Sequence, residues 1–224
     1  MCFTCKRTLR APELVPIVSW VCLGGKCRGC KTKISIEYLF LEIASGLVFV
    51  ASALIVFPMY GYVGPVHFFA FMAYYLSIFS IFLIIAFYDL RHTIIPDPMV
   101  YTAAAIAFFG IFLFPNPTIW DILAGPIIAS PFALIWFFSK GKYMGLGDAK
   151  LALPIGWMLG LSGGVAALLF AFWIGAVISL ILMAIRRGKY QMKTEIPFAP
   201  YLVIGAYIAF ALSLSIEGMM MWMY

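Results

Sequence analysis

The chain has 224 residues, of which 65% are hydrophobic and only 11% charged, and its mean hydropathy is +1.05. Soluble domains are about half apolar and about a quarter charged, so a water-soluble globular enzyme and a disordered chain are both excluded as starting points. The net charge of +6, from 15 Lys+Arg against 9 Asp+Glu, fits the positive-inside bias of membrane loops better than a nucleic-acid surface.

The first 37 residues are polar and basic, and they carry four of the five cysteines in two pairs, Cys2-x-x-Cys5 and Cys27-x-x-Cys30. Each CxxC turn places two thiolates on one side of an ion, and two such turns complete the tetrahedron that zinc prefers. Twenty-one residues separate the pairs, just beyond the usual spacing of four-cysteine zinc sites. A segment this short has little core of its own, so a metal staple makes physical sense. Lys6, Arg7, Lys26 and Arg28 offset the negative charge of four thiolates. The alternative is free or redox-active thiols; a reducing cytoplasm disfavours disulfides. Cys22 is left over, with packing its simplest role.

Seven stretches then follow that are apolar enough to span a membrane: 38–57, 66–88, 98–114, 119–138, 149–161, 164–185 and 196–215. The fifth is short, about 20 Å as a helix, so it must thin the bilayer, sit among neighbours or use Lys150 to snorkel. With the N-terminus in the cytoplasm, every Lys and Arg falls on the cytoplasmic side or at a cytoplasmic helix end. Seven lie in the N-terminal segment, then Arg91, Lys140, Lys142 and Lys150, and four between Arg186 and Lys193. No signal peptide is visible. The expected fold is an all-α polytopic integral membrane protein of about seven transmembrane helices. It has two parts, a cytoplasmic zinc-type segment over 1–37 and a membrane body over 38–224.

Nine acids are few enough to weigh singly. Glu13, Glu37 and Glu42 belong to the first segment or the start of the first span. Glu195 and Glu217 are solvated or interfacial, and Asp121 is interfacial or a helix cap. Asp89, Asp97 and Asp148 differ, because the threading puts all three at one cytoplasmic interface, where ionisable groups are costly and mark function. Asp97, ahead of Pro98, reads first as an N-cap. Asp148 follows Gly145-Leu146-Gly147, whose glycines allow a tight turn and a close approach to another chain. Asp89 ends a span, where the helix dipole disfavours an anion, so capping fails and another reason is needed.

Two carboxylates converging from different spans form an aspartic dyad. Held about 3 Å apart, they share a proton because both cannot ionise. The ionised one acts as base on a water and the protonated one polarises the scissile carbonyl; the roles then exchange for the leaving amine. No serine or zinc-protease motif competes. His67 and His92 fall at opposite ends of a span and form no metal site together.

The chain resembles the type IV prepilin peptidases, within the GxGD class of membrane aspartic proteases. The resemblance covers nearly the whole chain. The cysteine segment through Glu42, Asp89-Leu90-Arg91 with Ile94-Ile95-Pro96-Asp97, Gly145-Leu146-Gly147-Asp148-Ala149-Lys150-Leu151, and Ile196-Pro197-Phe198-Ala199-Pro200 follow the family's motifs in order. Ala199 stands where the family often has Gly. The resemblance implies catalytic Asp89 and Asp148, with Asp97 a supporting acid. It implies removal of a basic leader from prepilins or pseudopilins at the cytoplasmic face of the bacterial inner membrane, with no metal needed for proteolysis. It also implies, on resemblance alone, N-methylation of the new N-terminus with S-adenosylmethionine. The family usually has a further span before the first CxxC, whereas here Cys2 follows Met1. That difference bears on anchoring and methylation more than on the aspartic chemistry. The expected partners are a prepilin or pseudopilin and membrane lipid, and no nucleic acid.

Besides a non-catalytic assembly factor for a pilus or secretion machine, two other readings are open. One is a GxGD protease acting on other membrane substrates. The other is a proton-coupled transporter whose membrane acids relay protons, which would leave the cysteine segment unexplained.

Overall fold

The computed structural model describes residues 1–2, 4–60, 64–114, 116–185 and 197–221. The basic loop expected from Arg186 to Glu195 lies outside them. The chain divides into two compact units, Met1–Val50 and Ala51–Tyr224.

In the first unit a short 3-10 turn, Ala11–Leu14, precedes a five-residue helix α1, Val18–Cys22. One isolated antiparallel bridge joins Lys26 to Lys33. Everything else regular among the described residues is helix: α2 (Ile36–Tyr60), α3 (Pro65–His92), α4 (Asp97–Gly110) with a 3-10 turn after it (Ile111–Leu113), α5 (Ile119–Ser139), α6 (Leu146–Ile185) and α7 (Ala199–Met221).

The expected stretches coincide largely with these helices, although the third, 98–114, runs past the end of α4 and the seventh, 196–215, begins ahead of α7. Four segments are long and apolar enough to cross a membrane, Ile36–Pro58, Pro65–His92, Ile119–Ser139 and Leu146–Ala184; Asp97–Leu113 and Ala199–Leu212 are shorter apolar helices. The chain is an integral membrane protein. Its outer face agrees: Leu54, Phe69, Trp173 and Leu180 are each about two-thirds exposed, which favours lipid and disfavours water.

The fifth and sixth stretches form one element with a break. As a straight rod, 40 residues would run about 60 Å, twice the hydrocarbon core of about 30 Å. Gly160, at φ 68° and ψ −175°, interrupts the helix. A Cβ built on Gly164 would lie 3.5 Å from the Cα of Gly156, eight residues back, a separation of about 12 Å in a straight helix. The two arms of α6 therefore fold back on one another, and the short fifth stretch is the first arm, protected among neighbours.

Small residues let these helices touch backbone to backbone. A Cβ on Gly156 would meet the Ala124 carbonyl oxygen at 2.6 Å, and one on Gly205 would strike the Ala167 carbonyl. In lipid such close packing, rather than the hydrophobic effect, holds helices together. Trp157 Nε1 donates to the Ile122 carbonyl at 2.8 Å, pinning α6 to α5. Between α3 and α7 a ring cluster fills the core, with Phe79 at 4.8 Å from Tyr207 and Tyr75 at 4.6 Å from Phe210.

Candidate active site and metal centre

Asp89 lies in the last turn of α3, which ends where Thr93 turns left-handed (φ 51°) and its N–H bonds the Asp89 carbonyl. Asp89 is only 5% exposed. Asp148 lies in the first turn of α6 and is half-buried. The structure brings the two carboxylates together from different helices, close enough for the charge of Asp89 to act on Asp148.

What holds an anion at the wrong end of α3 is the start of another helix. The Ala199 N–H donates to Asp89 Oδ2 at 3.2 Å in a buried contact. Phe198 immediately precedes α7, its carbonyl accepting from the N–H groups of Tyr201 and Leu202. Pro200 has no N–H, so Ala199 supplies the free donor of this first turn. The dipole of α7 thus favours the carboxylate that the dipole of α3 opposes. Residue reasoning noted the Pro197–Pro200 motif without giving it a role. The signal was there in two prolines framing a helix start, the second of which leaves Ala199 as the N–H just ahead of it.

Asp97 does not cap α4. It is the first helical residue, with Pro96 at the cap position and no side-chain bond to the helix backbone. Its Oδ1 instead accepts from Lys150 Nζ at 2.7 Å. Lys150 also lies 5.5 Å over the Tyr101 ring. Lys150 therefore spends its charge on α4, a partner that the snorkelling expectation missed.

Gly147 packs against the segment between α3 and α4. A Cβ there would meet Ile95 Cβ at 3.0 Å, whereas one on Gly145 would have nothing nearer than 3.9 Å. The close approach therefore belongs to Gly147. Asp121 is tied into its own helix start, accepting from the Thr118 N–H and hydroxyl at 2.8 and 2.7 Å. His92 stacks on Tyr88, with ring centroids 4.5 Å apart.

In the first unit the four cysteine sulfurs lie within 4.8 Å of one another. Cys2 and Cys30 sulfurs are 3.7 Å apart, far beyond a disulfide bond of about 2.05 Å. A tetrahedral ion with bonds of about 2.3 Å needs sulfurs about 3.8 Å apart. The cluster can hold a metal ion.

Two matching backbone knuckles build it. Lys6 and Lys31, each directly after a CxxC, turn left-handed at φ 54° and 59°. Their N–H groups bond back to the carbonyls of Cys2 and Cys27 at 2.9 and 3.0 Å. The N–H groups of Cys2 and Cys27 bond to Arg7 and Thr32 carbonyls at 3.0 and 2.9 Å. Hydrogen bonds from the Thr32 hydroxyl and N–H pull the Cys30 thiol down to about 6. N–H groups of Cys30 and Gly29 lower Cys27. At Cys5 an Arg7 N–H favours the thiolate, but the crowding thiol of Cys2, partial desolvation and Cys30 outweigh it and push the group up to about 11. Glu13 fixes the Arg7 guanidinium at 2.9 and 3.1 Å, and that cation reaches Cys27. Cys22 is exposed, outside the cluster.

Comparison with known proteins fits both centres. Residues 1–56 match the bacterial peptidase A24 N-terminal domain, and residues 76–180 match the type IV leader peptidase family. A prepilin leader peptidase/N-methyltransferase of Stutzerimonas stutzeri is 31% identical over 218 residues, covering 93% of this chain and 70% of the relative. The chain belongs to the type IV leader peptidase family. Relatives of the same name in Pseudomonas aeruginosa (30% identical over 220 residues) and Aeromonas hydrophila (29% over 215) are matched over 93% of this chain and 69% of their own lengths. No solved structure matches significantly. The family's matched body, 76–180, contains Asp89, Asp97, Lys150 and both glycines of the Gly145–Asp148 turn; its N-terminal domain contains all four clustered cysteines.

Proposed function

We propose that this member of the family is a membrane aspartic endopeptidase that removes the basic leader from type IV prepilins or pseudopilins, with Asp89 and Asp148 as the catalytic pair. The observation that carries this reading is the convergence of a buried Asp89 and a half-buried Asp148 from α3 and α6. The Ala199 N–H donates to Asp89 Oδ2 and offsets part of the cost of an anion there. Asp89 then serves as the base that takes a proton from water, and Asp148 begins as the acid that polarises the scissile carbonyl. As the tetrahedral intermediate collapses, a proton passes to the leaving amine and the shared proton is restored. Asp97, Gly145 and Gly147 support the site.

In this reading the site lies on the cytoplasmic side of the bacterial inner membrane, with about seven passes. Every described Lys and Arg sits on the segments assigned to that side. The labour divides between a metal-bearing segment, 1–37, and a peptidase body, 38–224. Cys2, Cys5, Cys27 and Cys30 hold zinc, which staples the segment and takes no part in proteolysis. A second activity, N-methylation from S-adenosylmethionine, is supported by the relatives' name alone.

The test is leader removal from a pilin-like precursor co-expressed in membranes, followed by mass spectrometry. Asp89→Asn and Asp148→Asn should each abolish cleavage while leaving the protein inserted. Cleavage by both variants would end the aspartic reading. A further gain of about one methyl on the mature product would establish the methyltransferase. A proton flux independent of substrate would favour the transporter reading instead.

A further inference from the structure

We propose that the Asp97–Lys150 ion pair is a positioning clamp, setting the depth and rotation of the first arm of α6 so that Asp148 meets Asp89. The inference rests on the catalytic reading of Asp148. It assigns Lys150, and through it Asp97, a role that neither plays by touching substrate.

Asp148 stands in the opening turn of α6, where a helix end has few bonds of its own to fix its rotation. Two contacts join this turn to the chain that leads from Asp89 into α4. One is the packing of Gly147 on Ile95, where a Cβ would come within 3.0 Å. The other is the bond from Lys150 Nζ to Asp97 Oδ1 at 2.7 Å. Residues two apart on a helix stand on roughly opposite sides. Lys150 therefore reaches away from the face that carries Asp148, and a pull on it turns that face toward Asp89. The first contact limits how near the arm can come; the second sets how it is rotated.

The side chain of Lys150 is 22% exposed and that of Asp97 is 53% exposed. A pair this open contributes little to stability, so its value is geometric. The Tyr101 ring beneath Lys150 holds the ammonium over α4 and limits its other rotamers. Tyr101 and Asp97 both belong to α4, so the lysine is held from two points on one helix. The helix that carries Asp89 leads into α4 through only four residues, 93–96. The clamp thus ties the position of one catalytic carboxylate to the element that follows the other.

The test uses the full-length protein in native membranes, with steady-state kinetics on a purified pilin-like precursor and Asp148→Asn as the baseline. Lys150→Met and Asp97→Asn should each lower kcat, up to about a hundredfold, the cost of misplacing reacting groups by about 1 Å. KM should stay within about threefold, because substrate contacts are not touched. The melting temperature should move by no more than about 4 °C. Lys150→Arg should keep most of the activity. The exchanged pair, Asp97→Lys with Lys150→Asp, should recover at least about tenfold over either single variant, a non-additivity expected of groups that act as a pair.

If the exchanged pair stays as slow as Asp97→Asn, a carboxylate is needed at position 97 itself, and the clamp is wrong. Full activity in both single variants would also overturn it. Activity in Asp148→Asn would instead overturn the catalytic reading beneath it, so the two failures are told apart.

Discussion

Two aspartates of the same chemistry occupy opposite ends of helices, and that difference gives each a role. Asp148 sits where its own helix welcomes an anion. Asp89 sits where its own helix rejects one, and the Ala199 N–H of α7 compensates at 3.2 Å. Ala199→Pro deletes that donor at the first helical position, where proline is well tolerated. A hydrogen bond to a charged group contributes about 1.5–3 kcal/mol, so kcat should fall by roughly ten- to a hundredfold. Ala199→Gly keeps the N–H and should hold activity within about threefold, at a cost near 1 kcal/mol in stability. Ala199 is fully buried, so thermal unfolding in detergent must accompany the kinetics. If both variants lose activity in proportion to stability, the effect is packing and the N–H matters little. Sequence showed which acids were out of place, because an anion at a helix C-terminus is a local contradiction. It did not show the partner, which arrives 110 positions later and is a backbone group with no side-chain signature.

At the scale of elements, α6 shows why composition finds spans more readily than it finds turns. The stretches 149–161 and 164–185 were legible from their apolarity, and the uncharged gap between them marked a reversal. Its geometry was not legible, because it depends on one glycine among several in a run. Gly160 at φ 68° and ψ −175° lies in a region that residues with a side chain avoid. A Cβ on Gly160 would meet nothing within 4 Å, so any harm from Gly160→Ala comes from the backbone alone. The cost should be about 1–3 kcal/mol, lowering the unfolding midpoint in detergent by several degrees. Gly156→Ala damages by the other route, since its Cβ would press on Ala124 and Gly125. Its effect should be relieved by shrinking nothing on the lipid side, only by changes at the α5 contact. An unchanged midpoint for Gly160→Ala would mean that the arms reverse without needing that conformation. The Asp97–Lys150 pair was hidden for a related reason. Each residue had a plausible local role, a cap or a snorkel, and only the packing of α4 alongside the first arm of α6, start to start, joined them.

As a whole the molecule pairs a membrane body held by close helix packing with a small unit that has little apolar core. The CxxC spacing made the second legible from sequence, because four soft ligands in two turns leave few other uses. The matching knuckles were not legible, since they lie in backbone conformations at Lys6 and Lys31. They supply the last prediction. In the metal-free unit Cys30 is held down to about 6 by Thr32. The stabilisation from its thiolate is complete above its usual value of 9.0 and is lost as pH falls through about 6. Cys5 runs the other way: raised to about 11, its thiol form stabilises the fold below 9.0 and fades as pH rises through 11. A metal needs every ligand as thiolate, so loading near neutral pH must expel the Cys5 proton, and affinity should climb with pH. Purified protein should therefore carry about one zinc per chain and release protons on reloading. Trypsin should find Lys6, Arg7, Arg28 and Lys31 protected in the loaded protein. Those sites should open on chelation at about pH 7.5, or on acidification below about 6 without chelator, because thiolate ligands are lost. Cys5→Ser and Cys30→Ser should lose the metal, whereas Cys22→Ser, outside the cluster, should retain it. Equal resistance to trypsin with and without metal would mean that the knuckles hold themselves, and the staple would be unnecessary to this unit's fold.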